Sequence, residues 1–143
     1  MMNDNFFQVA LDQPLTSREQ IQHFIATHAN KEAAEELVAL LREREKVGNT
    51  MISEHVILPH LESPKIKQSQ ILLIRLAKAI DLDEETPEVQ LIITILMKSN
   101  ERQIMKQQIA QFTRRLADDE FLAALLNSES EERIYQLLEE ETK

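Results

Sequence analysis

The run Val89-Gln90-Leu91-Ile92-Ile93-Thr94-Ile95-Leu96-Met97 constrains the fold more than any other stretch of this chain. It is continuous rather than alternating and rich in β-branched residues, so it predicts a strand covered on both faces, as in α/β proteins. Ile71-Leu72-Leu73-Ile74 and Val56-Ile57-Leu58 are shorter runs of the same kind, and Pro59 closes the latter. Phe6 to Leu11 alternates loosely and reads as a short first strand ended by Pro14. No uninterrupted apolar run approaches the roughly 20 residues that cross a bilayer.

Helical spacing surrounds these strands. Thr16 with Glu19 forms a capping-box signature. The helix it opens runs to about Ala29, with Ile21, Phe24 and Ile25 on one face. Asn30 reads as the cap of a second helix that reaches about Arg44 and stops near Gly48. The acidic segment Asp81 to Pro87 separates the last two strands. From Asn100 onward Met105, Ile109, Phe112 and Leu116 recur at steps of four, three and four, one buried helical face. Asp118 or Asp119 caps a short helix through Leu126, and Ser128 with Glu131 opens a last one. The expectation is an α/β protein, a central mixed β-sheet flanked by helices on both faces, with a helical C-terminal third and residues 1–143 forming a single domain.

Composition removes several classes of function. The net charge of −9 opposes direct nucleic-acid binding, which needs clustered cations. The absence of cysteine removes disulfides, thiolate catalysis and zinc–thiolate sites. With no secretory leader pattern at the start, a cytoplasmic setting is expected. His23 and His28 stand five apart on the first helix and read as surface residues. His55 and His60, with Glu54 and Glu62, match no zinc signature, so neither metal nor cofactor is expected.

His60 follows Pro59 at the end of an apolar strand, and open α/β sheets bind ligands just outside such strand ends. From the residues alone it is either a ligand-facing histidine or one that merely caps a strand. Arg44-Glu45, then Gly48-Asn49-Thr50, then Val56-Ile57-Leu58-Pro59-His60 resembles the type-2 (fructose/mannitol/nitrogen-class) enzyme IIA domain of the bacterial phosphotransferase system. The order of elements fits that family along nearly the whole chain. The resemblance implies that His60 accepts a phosphoryl group, that Arg44 neutralises its oxygens, and that Thr50 adds a hydroxyl donor. Glu45 is expected to hold Arg44 in place.

The same resemblance implies a phosphocarrier supplied by an HPr-like protein and discharged to an enzyme IIB partner, meeting a membrane only through that partner. Departures favour an alternative, a regulatory IIA-like domain of a transcription antiterminator or activator. Ser53 and Ile57 differ from the usual pattern, Leu61 replaces a small residue after the histidine, and no histidine follows position 60, where sugar-specific members carry a second one. A third reading is a helical interaction domain without chemistry, which a sheet presenting His60 would oppose.

Overall fold

The computed structural model describes residues 6–48 and 50–140; Asn49, in the Gly48-Asn49-Thr50 segment, lies outside them. Six strands form one mixed sheet: β1 (Phe7–Gln13), β2 (Met51–Ser53), β3 (Val56–Ile57), β4 (His60–Ser63), β5 (Gln70–Ile80) and β6 (Val89–Lys98). Five α-helices accompany it: α1 (Arg18–Asn30), α2 (Ala34–Glu45), α3 (Gln103–Arg115), α4 (Asp119–Asn127) and α5 (Glu131–Glu139). The strand order is β1-β5-β6-β3-β2, with β4 also paired to β6. β1 runs parallel to β5, β3 and β4 run parallel to β6, and the β5–β6 and β2–β3 pairs are antiparallel.

The apolar runs form the central strands, as their continuity predicts. Alternate residues supply two cores. Val56, Ile71, Leu73, Leu91, Ile93, Ile95 and Met97 pack with α3, α4 and α5 on one face. Ile57, Leu61, Leu72, Ile74, Ile92 and Leu96 pack with α1 and α2 on the other. Burying each such side chain contributes about 1.5–3 kcal/mol, so the two layers hold the sheet between them. Among the described residues no helix is long and apolar enough to cross a membrane.

Three sequence expectations shift. The cap of α1 is Ser17, whose side chain accepts from the Gln20 N–H, while Gln20 Oε1 accepts from the Thr16 N–H at 2.7 Å. The box therefore sits one residue later than Thr16–Glu19. Likewise α4 extends to Asn127 and uses Ser128 as its C-cap, so Ser130 caps α5 by accepting from the Arg133 N–H at 2.9 Å. Asn30 does accept from the Glu32 N–H, but it opens a single 3₁₀ turn at Lys31–Ala33 before α2 begins.

The larger difference lies at Pro59. The strand does not end there. Val56 pairs with Leu91 and His60 with Ile95, four residues further along both strands, so β3 and β4 are one line interrupted without a change of register. Proline has no N–H to give to a ladder, which accounts for the break. The Pro59 carbonyl nevertheless accepts from the Ile95 N–H at 2.9 Å.

Candidate functional site

His60 is the first residue of β4, and the strand alternates exposed, buried, exposed, buried from His60 to Ser63. Leu61 turns into the α1–α2 core, which places His60 and Glu62 on the opposite face, where Leu58 packs. The neighbouring β2 has stopped by then: its approach to β3 ends with the Leu58 N–H donating to the Thr50 carbonyl at 2.8 Å. His60 thus stands on a strand paired on its inner side to β6, at the point where, among the described residues, no strand pairs with its outer side. A backbone paired to β6 carries a solvent-accessible histidine whose ring is partly shielded by its surroundings.

The other two expected site residues, Thr50 and Arg44, come near His60 by different means. Thr50 reaches the strand by its backbone carbonyl, two residues before His60. Arg44 is exposed in the last turn of α2, where a cation also suits the helix dipole. Its charge acts on the imidazole through space. The His60 pKa lies below the usual histidine value chiefly because burial disfavours the charged ring; Glu62 pulls it up and Arg44 pushes it further down. The shift favours the uncharged ring, the form in which one nitrogen carries a lone pair.

Glu45 does not play its expected part. Its Oε2 accepts from Arg18 Nη1 at 2.7 Å and from Gln22 Nε2 at 2.7 Å, so its carboxylate faces α1 rather than Arg44. The reason is helical geometry: successive residues point about 100° apart, given 3.6 residues per turn. The sequence reading weighed Glu62 beside His60 only as a metal ligand, not as a carboxylate acting on the ring. Recognising β4 would have supplied that role, because residues two apart share a strand face.

The other histidines lie elsewhere. His55 has a positive φ of 70° and its Nδ1 lies 2.7 Å from the Glu88 carbonyl, which ties the turn before β3 to the start of β6. His23 and His28 line a shallow groove on α1 with Leu15, Phe24 and Thr27, and α1 packs on the sheet face opposite His60. Among the described residues no three His, Asp or Glu side chains gather as metal ligands would.

Several known proteins are similar to this chain. A multiphosphoryl transfer protein 1 from Escherichia coli (strain K12) is 29% identical over 137 residues, which cover 93% of this chain and 16% of that protein. The chain thus spans about a sixth of the length of such relatives. A nitrogen regulatory protein from Bradyrhizobium diazoefficiens is 26% identical over 140 residues, covering 87% of this chain and 92% of that one. The crystal structure of nitrogen regulatory protein IIA-Ntr from Neisseria meningitidis superposes with a TM-score of 0.77 at 18% identity, over 93% and 96% of the two chains. The complex of enzyme IIA mannitol with phosphorylated enzyme IIB mannitol from Escherichia coli gives a TM-score of 0.67 at 18% identity, over 96% of both chains. At those identities the structural likeness concerns the fold. The family described as "Phosphoenolpyruvate-dependent sugar phosphotransferase system, EIIA 2" matches residues 5–141. This chain belongs to that family, and it is an EIIA-type domain of the phosphotransferase system.

Proposed function

We propose that His60 is the phosphoryl acceptor of this domain, with Arg44 as the cation that receives the phosphoryl oxygens. The observation that carries this reading is a solvent-accessible histidine on a strand paired to β6, its pKa held down by partial burial of the ring and by the charge of Arg44. A neutral ring nitrogen attacks the phosphorus of a donor phosphohistidine. The new N–P bond forms as the donor's N–P bond breaks; the far nitrogen of the His60 ring gives up its proton to solvent and the far nitrogen of the donor ring takes one up, so the donor leaves as neutral imidazole. Little covalent help from the protein is needed, so positioning and charge neutralisation do most of the work. A guanidinium suits planar pairs of oxygens. Thr50 is the third proposed site residue, offering a hydroxyl beside the same strand.

The donor is an HPr-like phosphocarrier and the recipient an enzyme IIB protein or domain. The likeness to a IIA protein solved with phosphorylated IIB supports the second partner. The setting is the cytoplasm, and no cofactor takes part. A regulatory role for the same phosphorylation is the second reading; it is favoured by the absence of any histidine after position 60 and by the likeness to two nitrogen regulatory proteins. Incubation with phosphoenolpyruvate, enzyme I and HPr tests the acceptor. Acid-labile phosphate should appear on the wild type and vanish in His60→Ala.

A further inference from the structure

The inward stripe of α2 changes character in its last turn. Leu37, Val38 and Leu41 are buried there, and no apolar side chain after Leu41 is buried on this helix. The next position on that face, four residues on, is Glu45. Its carboxylate meets two side chains that also stand four apart on α1: Arg18 and the buried Gln22, both at 2.7 Å. Arg18 then turns its second nitrogen, Nη2, to Asp83 Oδ2 at 2.5 Å on the loop between β5 and β6. One guanidinium therefore bridges two carboxylates from two different elements.

Each member is held in turn. Asp83 Oδ1 accepts from the Glu85 N–H at 2.9 Å and from the Thr86 hydroxyl at 2.7 Å, so the loop offers Arg18 a fixed anchor. Arg18 keeps its charge in this half-buried place, because the Glu45 and Asp83 carboxylates outweigh the cost of burial and raise its pKa. Arg44 stands one residue before Glu45. It makes no ion pair of its own among the described residues, and the chain leaves the helix directly after by Lys46, Val47 and Gly48. Glu45 and what grips it thus tie that last turn to α1 and, through Arg18, to the β5–β6 loop.

We propose that Arg18, with Gln22 and Asp83, is a positioning unit that fixes the last turn of α2 through Glu45 and so aims Arg44 at His60. Arg18 touches neither His60 nor the phosphoryl group. It acts through Arg44, and the inference rests on the phosphoryl-acceptor reading given above. Loss of aim in a charge that stabilises the moving group costs rate even when the charge remains.

The test is a double-mutant cycle on phosphoryl transfer from phospho-HPr, using Arg18→Gln, Arg44→Ala and the two combined. Arg18→Gln should slow transfer roughly tenfold, and it should add less than about twofold once Arg44 is gone, because coupled residues are not additive. Arg18→Lys, which places one point charge where a fork bridged two carboxylates, should recover only part of the loss. The second readout is the His60 titration followed by NMR. Arg18→Gln should raise the His60 pKa in the same direction as Arg44→Ala, since Arg44 holds it down. An equal slowing by Arg18→Gln with and without Arg44, or an unmoved His60 titration, overturns the proposal. Labelling of His60→Ala at the wild-type level would instead overturn the acceptor reading, and the titration pair would still decide the positioning role.

Discussion

Ile95 and His60 are register partners on parallel strands, and the Ile95 N–H holds the Pro59 carbonyl at 2.9 Å immediately before the histidine. The two side chains project from the same face, Ile95 buried and His60 exposed. Central strand and candidate nucleophile are therefore one mechanical unit. Ile95→Ala should cost about 2–5 kcal/mol of stability. By opening the packing beside the ring it should also raise the His60 pKa toward its ordinary value. Denaturant unfolding and an NMR titration of the imidazole check the two effects.

The charges around His60 make a prediction of opposite signs. Glu62 raises its pKa and Arg44 lowers it, so Glu62→Gln should lower the titration midpoint and Arg44→Ala should raise it. The folded-state pKa lies below the ordinary 6.5. The contribution of this ring to stability is then fully present above about 6.5 and is lost as the pH falls through the lower folded value. Comparing the stability of wild type and His60→Gln across that range measures it.

Glu101 gives a second pH dependence, at lower pH. It is buried, and burial alone would raise its pKa; the Ser69 hydroxyl at 2.5 Å and the Arg102 N–H outweigh that and bring it below 4.5. Its stabilisation is present above about 4.5 and disappears as the pH falls through the depressed value. Ser69 also accepts from the Lys98 N–H at 3.0 Å, linking the end of β6 to the start of β5. Ser69→Ala should cost about 1.5–3 kcal/mol at pH 7 and less in acid, as chemical denaturation at both pH values would show.

Thr94 lies at the middle of β6, fully buried, and its hydroxyl finds no hydrogen-bond partner among the described residues. An unpaired buried hydroxyl costs about 1–3 kcal/mol. Thr94→Val keeps the shape and removes the polar atom, so it should raise the melting temperature while leaving the His60 titration unchanged.

Arg75 is the polar member of the otherwise apolar run in β5. Its Nη1 donates to the Leu125 and Leu126 carbonyls at 3.0 and 3.3 Å, capping the end of α4. Arg75→Met should cost about 1–3 kcal/mol by leaving buried carbonyls unpaired, with hydrogen exchange in α4 rising first.

The sequence revealed most where local pattern and burial agree. The runs at Ile71–Ile74 and Val89–Met97 become the two central strands because both faces of the sheet are covered, which is what a continuous apolar run requires. His60 and Arg44 stand out by motif, and the fold brings the charge of Arg44 to bear on the His60 ring. β4 was not, because His60-Leu61-Glu62-Ser63 carries one large apolar residue and follows a proline. Helix caps moved by a residue or two where two hydroxyls compete, as at Thr16 and Ser17. The Arg18–Glu45 contact spans 27 residues, and no local period encodes such a pair; only the packing of α1 on α2 brings it about.

The most direct measurement is the mass and acid lability of the protein after incubation with phosphoenolpyruvate, enzyme I and HPr, with fragmentation to locate the modified residue. One acid-labile phosphoryl group on His60, absent in His60→Ala and absent without HPr, is the predicted result. No added phosphoryl group, or one carried by His23, His28 or His55, would contradict the account.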